Sequence, residues 1–262
     1  MISSIFVGHG APTIIYDDNQ YTKQLKNYFI ENKKPKSILI ISAHYENEEV
    51  ILGASEEFSL IYDFYGFPRE LYEEKLQVRG DKNLAYKAQK LLRESPLTSA
   101  LKTSIDFNRG LDHGSWSILK LMDPEGTIPV VQMSINSNLP EKTQFDIGRS
   151  LEALKDEDVL IIGSGGMIHN LRAVNFYSDI NENISSWAAD FHKYIAEALN
   201  KYDVDKVVNY KEAPYGNMAV PTPDHYVPLI ILMGTGYTNK NSEISASYFQ
   251  FSNLSLDLIK FH

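Results

Sequence analysis

The amino-acid sequence predicts an α/β fold: a central mixed, largely parallel sheet flanked by helices, formed as a single domain by residues 1–262. Three observations carry this expectation. The runs Ser4-Ile5-Phe6-Val7-Gly8, Ile38-Leu39-Ile40-Ile41 and Val159-Leu160-Ile161-Ile162 are short, apolar and rich in β-branched residues, as strands buried on both faces are. Stretches with helical spacing separate them, giving the βαβ alternation of a parallel sheet. Each run also passes through small residues to a histidine: His9, His44 and His169. In open α/β sheets the ligand crevice lies beyond the carboxyl ends of the strands, so three such strands could aim imidazoles into one pocket.

The elements follow in order. After the His9 turn, residues 19–32 space Tyr21, Leu25, Tyr28 and Phe29 for one helical face, with Asn19 or Thr22 as caps. Residues 37–42 form the next strand, and residues 49–54 a further one after the His44 loop. Tyr62-Asp63-Phe64-Tyr65-Gly66-Phe67-Pro68 is an aromatic loop, suited either to a pocket rim or to core packing in a hairpin. Residues 82–94 are helical through Leu84, Ala88, Leu91 and Leu92, and Pro96 stops them before a short strand over 97–103. Leu111-Asp112-His113-Gly114-Ser115-Trp116 opens a helix running to Met122, residues 129–135 are a strand, and residues 140–155 are a helix facing the core through Phe145, Ile147, Leu151 and Leu154.

In the stretch from Val159 to Asn170, the glycines after the strand are expected to turn the backbone sharply and to deliver His169 on a flexible loop. Residues 184–199 repeat Ile184, Trp187, Ala188, Phe191, Ile195 and Leu199 at helical spacing, with His192 beside the stripe as a helix-face residue. Residues 226–232 read as a buried helix. Residues 243–251 and 254–261 alternate as two strands that close an antiparallel edge. There is no internal repeat, low-complexity tract or linker, hence the expectation of one domain.

Composition narrows the partners. The formal net charge is −9, and no basic stripe or tail is visible, which argues against nucleic acid or an anionic membrane and for a small molecule. With no cysteine, any metal must be held by His, Asp or Glu. No basic leader precedes the first strand and no apolar run approaches the ~18 residues that span a bilayer, so a soluble, cytoplasmic protein is expected. A monomer or homodimer is the expected assembly.

No HExxH pair, EF-hand loop, P-loop or GxSxG elbow occurs. Gly163-Ser164-Gly165-Gly166 could cradle a phosphate but lacks the lysine and spacing of such loops. Of the seven histidines, His262 is terminal and expected to be disordered, and His192 is expected to have no site role. The other five, His9, His44, His113, His169 and His225, fall beside Gly, Pro or small residues in expected loops, where sites on rigid scaffolds gather. Their shared placement favours a metal site over unrelated core or surface histidines.

Six separated motifs then carry a resemblance. Gly8-His9-Gly10-Ala11-Pro12, Ser42-Ala43-His44-Tyr45, the loop from Tyr62 to Pro68, Leu111-Asp112-His113-Gly114-Ser115-Trp116, Ile168-His169-Asn170-Leu171 and Pro221-Thr222-Pro223-Asp224-His225-Tyr226 span nearly the whole chain. In that order they resemble the class III extradiol ring-cleavage dioxygenases, and more narrowly the 4,5-DOPA dioxygenase extradiol branch. The resemblance implies a mononuclear metal with His9, His44 and His225 as ligands, the last at a position that is glutamate in the wider class. It implies that His169 is the catalytic acid/base, able to approach the metal as a fourth ligand, and that His113 is the second active-site histidine. Asp224, beside His225, could replace or orient it.

The implied reaction opens the ring of a catechol, 4,5-DOPA-like, with O₂. Ground-state dioxygen is a triplet and reacts slowly with a closed-shell ring, so a redox metal such as Fe²⁺ on three ligands with open positions is needed. An imidazole with a pKa near ~6.5 suits a base that takes a catechol proton and later returns one, the role expected of His169. His113 would donate a hydrogen bond to bound oxygen or a developing oxyanion. Three neutral imidazoles also suit Zn²⁺, the metal expected in purified protein. Two other readings stay open: a zinc-dependent hydrolase on the same scaffold, with His169 acting on metal-bound water, and a catalytically silent catechol- or metal-binding protein. No Arg or Lys is placed by motif to grip an amino-acid carboxylate.

Overall fold

A computed structural model of the chain describes residues 2–262. Eight strands form one sheet: β1 (Ser4–Gly8), β2 (Ser37–Glu46), β3 (Val50–Gly53), β4 (Thr103–Asp106), β5 (Val130–Ile135), β6 (Val159–Gly165), β7 (Ser242–Gln250) and β8 (Leu254–Phe261). Their order is β4-β3-β5-β2-β6-β1-β8-β7. The central strands β5, β2, β6 and β1 run parallel, β3 is antiparallel to β5, and β8 is antiparallel to both β1 and β7. The sheet is therefore mixed and largely parallel, as the sequence predicts, with the antiparallel tails at one edge.

The apolar runs are continuous because both faces of the central strands are covered. Ile38 and Ile40 join Ile5, Val7 and Ile162 in one cluster, while Leu39 and Ile41 join Phe6 and Ile161 in the other. The first cluster is closed by the helices Gln20–Lys26 and His113–Met122 through Tyr21, Leu25, Trp116 and Ile118. The second is closed by Lys82–Glu94, Glu141–Leu151, Ser186–Asn200 and Val227–Gly234. Each fully buried Ile or Leu contributes about 1.5–3 kcal/mol by leaving water. Among the described residues no helix is long and apolar enough to cross a membrane.

Several boundaries differ from expectation, each for a local reason. The expected helix over residues 19–32 divides at Asn27 into Gln20–Lys26 and Tyr28–Glu31, and the Asn27 carbonyl accepts from Ile30 in a tighter turn. Residues 97–101 are turns rather than strand: Ser99 bonds back to Ser95 and the Thr98 hydroxyl donates to the Leu92 carbonyl, so pairing begins only at Thr103. The helix expected over 140–155 ends at Leu151 and tightens into a 3₁₀ segment, Glu152–Glu157. The strand β2 continues past Ser42 through His44, which therefore lies on a strand and not in a loop. His262 is not disordered; its Nδ1 lies 2.9 Å from the Ser3 hydroxyl and its backbone N–H bonds to Asn241.

The largest difference concerns the glycines near His169. β6 runs through Gly163, Ser164 and Gly165 as extended, fully buried strand. None of Gly163, Gly165 and Gly166 has the positive φ that a glycine turn would use. A Cβ on Gly165 would stand 2.3 Å from the His225 carbonyl oxygen, and one on Gly163 would stand 2.4 Å from the Leu232 side chain. Their smallness lets the segment carrying His225 and its following helix press against the sheet.

Candidate metal centre

The register of the three central strands brings the histidines to one place. Val7 and Ser42 both pair with Ser164 at the carboxyl ends of β1, β2 and β6. His9 follows β1 directly, with its N–H on the Gly165 carbonyl, and His44 stands two residues beyond Ser42. His225 is tied to the same edge because its carbonyl accepts from the Gly166 N–H. The ring nitrogens Nε2 of His9 and His44 lie 3.1 Å apart, and those of His44 and His225 lie 3.2 Å apart. His9, His44 and His225 thus form a group able to hold one metal ion.

The other nitrogen of each ring is held from behind. Ser164 is buried and donates its hydroxyl proton to the Gly114 carbonyl, so it accepts from His9 Nδ1 at 3.0 Å. His44 Nδ1 lies 3.2 Å from Asp63 Oδ2, and His225 Nδ1 bonds to Asp224 Oδ2. Ionised carboxylates only accept, so these protons lie on Nδ1 and the three Nε2 lone pairs face one another. Three converging lone pairs repel unless a cation lies among them. Nitrogens about 2.1 Å from one ion stand roughly 3.0–3.4 Å apart at octahedral to tetrahedral angles, and both separations from His44 fall in that range. The donor set fits a metal, and the oxygens behind it are the partners that orient ligating histidines.

Two further groups of possible ligands share these residues: His44 with Asp63 and His113, and His169 with Asp224 and His225. In both, the carboxylate is already the acceptor for a histidine N–H. Asp224 orients His225 in this way.

His113 opens the helix His113–Met122, whose N-cap Asp112 accepts from Ser115. Its Nδ1 and its backbone N–H both donate to Asp63 Oδ1, at 2.9 and 3.0 Å. Its ring centroid is 4.0 Å from that of His44. His169 follows β6 and lies stacked on His225, its backbone N–H on the Ala219 carbonyl. Burial, and then the neighbouring imidazoles, hold His9 well below its usual pKa and bring His169 down to about 3. Burial also lowers His113 and His225 despite their carboxylate partners. Burial alone would raise Asp63 and Asp224, but the hydrogen bonds from their histidines prevail and hold both below the usual carboxylate range. For His9, His113, His169 and His225 these shifts favour the neutral imidazole, the form that binds metal.

Asp63 and Ser164 are the residues to which the sequence reading gave no role. Asp63 is the only carboxylate in an otherwise aromatic loop, the one signal that could have marked it. The loop itself divides between the two expected uses: Phe64 and Phe67 line a cavity of about 600 Å³ over the histidines, Tyr65 is 92% exposed, and Tyr62 packs toward Trp116 with its hydroxyl on the Glu74 carbonyl.

Comparison with known proteins places the chain in a family. Residues 5–256 match the family model described as the catalytic LigB subunit of aromatic ring-opening dioxygenase. The chain is 38% identical over 245 residues to a Beta vulgaris protein named 4,5-DOPA dioxygenase extradiol, covering 92% of this chain and 89% of that one. It is 33% identical over 256 residues to a protein of the same name from Escherichia coli K12, covering 97% and 92%. A crystal structure of an uncharacterised Escherichia coli K12 protein superimposes with a TM-score of 0.84 at 29% identity over 100% of both chains. The chain therefore belongs to the LigB family of aromatic ring-opening dioxygenases and is an enzyme of the extradiol class.

Proposed function

We propose that the substrate is a catechol and that a divalent iron held by His9, His44 and His225 is the working metal, with His169 and His113 moving the protons. The observation that carries this reading is the convergence of three Nε2 atoms whose Nδ1 partners are fixed by Ser164, Asp63 and Asp224. The names of the Beta vulgaris and Escherichia coli relatives, which specify a catechol amino acid, support it. Iron would supply an electron path between a spin-paired ring and triplet dioxygen. Zn²⁺ takes imidazole ligands readily and is the proposed occupant of protein purified in air.

The remaining steps belong to the side chains. Phe64 and Phe67 cover one side of the cavity and hold a planar ring over the histidines while excluding water. His169 faces the cavity, and with its pKa at about 3 rather than the ~6.5 expected from sequence it is a weak base by itself. The negative charge building on an arriving catechol raises that pKa, so that His169 accepts a hydroxyl proton and returns it as the ring opens. His113 gives its Nδ1 proton to the bond with Asp63, so its neutral ring offers a lone pair at Nε2. It must take up a proton before it can donate to a developing oxyanion, and Asp63 stabilises the imidazolium that forms.

The test is anaerobic reconstitution with Fe²⁺, followed by simple catechols, protocatechuate and 4,5-DOPA in oxygenated buffer. One dioxygen consumed per catechol, with a yellow semialdehyde product, is expected. Failure of every catechol to consume oxygen refutes the reading.

A further inference from the structure

We propose that the ring substituent of the substrate is apolar and uncharged, so that this enzyme prefers an alkyl- or aryl-substituted catechol to one carrying a carboxylate. The inference rests on the catechol reading above and narrows it.

The cavity of about 600 Å³ has room for a substituent well beyond a bare ring. Its walls away from the histidines are Phe64, Phe67, Leu171, Phe176, Phe251 and Leu254. These come from three segments: Phe64 and Phe67 of one loop have ring centroids 5.4 Å apart, and Phe176 and Phe251, from two different segments, 5.2 Å apart. Leu171 and Phe176 are 59% and 69% exposed, an apolar lip that a bound apolar group would cover.

No Lys or Arg lines this cavity among the described residues. Arg172 follows Leu171 but is exposed and outside the lining. Apart from the histidines, the polar side chains of the lining are Asp63, Tyr65 and Ser255. Asp63 already accepts from His44 and His113 and donates nothing to a substituent, Tyr65 is turned to solvent, and Ser255 is buried and accepts from the Ile168 N–H. A carboxylate on the substituent would leave water for an apolar wall without a counter-cation. An alkyl or aryl group there would instead bury apolar surface against six apolar side chains.

The experiment compares 4-butylcatechol with 3,4-dihydroxyphenylpropanoate, matched in length, and adds 4,5-DOPA, in two assays. The first measures kcat/KM of the Fe²⁺-loaded enzyme. The second titrates the metal-free protein, which cannot turn the ligand over, and follows quenching of Trp116, whose ring centroid lies 6.3 Å from that of Phe64. A preference of about tenfold or more for 4-butylcatechol is expected in both. Phe176→Arg, a change at the exposed lip, is expected to narrow that ratio, and Arg172→Ala to leave it unchanged. Equal or better use of the carboxylate compounds, or a selective loss of them in Arg172→Ala, overturns the proposal. Failure of every catechol to consume oxygen refutes the catechol reading, whereas the metal-free titration decides the substituent preference separately.

Discussion

His169 lies flat on His225, with ring centroids 3.5 Å apart and planes 5° from parallel. An imidazole lone pair lies in its ring plane, so two parallel rings cannot both point a nitrogen at one place; His169 is therefore proposed as a proton carrier and not as one of the residues that would hold a metal. His169→Ala is therefore expected to retain metal near one equivalent while kcat falls by about 10²–10⁴, the usual contribution of a proton-transfer group. His44→Ala is expected to release the metal. Elemental analysis of both variants checks this, and the reverse pattern would exchange their roles.

Asp63 serves two histidines at once, accepting from His44 at 3.2 Å and from His113 at 2.9 Å. Asparagine in its place has a single acceptor oxygen and no charge. Asp63→Asn is expected to weaken metal binding about 10–100-fold, as loss of a carboxylate behind a ligating histidine does. It should also lower kcat beyond what the lost metal explains, because His113 loses the anion that stabilises its protonated form. Metal competition titrations, followed by kcat at saturating Fe²⁺, separate the two effects. Unchanged metal affinity would remove Asp63 from the support of His44.

Gly165 has no room for a methyl group: the position of its Cβ is 2.3 Å from the backbone oxygen of His225. Gly165→Ala must move either β6 or the His225 segment, and overpacking of this kind costs about 1–3 kcal/mol. The variant is expected to melt earlier and to bind metal more weakly than the wild type, since the displaced segment carries a proposed ligand. A Gly166→Ala control, where the nearest atom to an added Cβ is 3.5 Å away, is expected to do neither. Thermal melts with metal stoichiometry decide; equal behaviour of the two variants would refute the close-approach argument.

How much of this was legible in the sequence depended on whether the cause was local. The helix over residues 82–94 was read to its last residue because its periodicity and the Pro96 stop are local signals. The central parallel trio and its histidines were legible because apolar runs ending in small residues mark buried strands. The glycines after Ile162 were misread as a turn because their function is a contact with residues about sixty positions later, which no local pattern reports. The antiparallel direction of β3 and the pairing of Asp63 with His113 across 50 residues were hidden for the same reason.

His192 shows the same limit, and its chemistry can be tested through pH. Expected only as a helix-face residue, it has its Nε2 2.8 Å from Asp257 Oδ1 and 2.7 Å from the Ser247 hydroxyl. Its side chain is 15% exposed and Asp257 is fully buried. Burial alone would lower its pKa, but the charge of Asp257 and the hydrogen bond to it prevail and raise it. A histidine whose folded pKa lies above its unfolded value of about 6.5 contributes its full stabilisation below that value. The contribution is lost as pH rises through the folded pKa. A hydrogen bond to a charged group contributes about 1.5–3 kcal/mol, so His192→Gln should be destabilised by about that much at pH 6 and by less at pH 9. Urea unfolding of both proteins at the two pH values measures the difference, in which the titration of the distant histidine cluster cancels. A gap that stays constant or widens toward pH 9 would show that His192 is held as a neutral ring, with Asp257 satisfied by Ser247 alone.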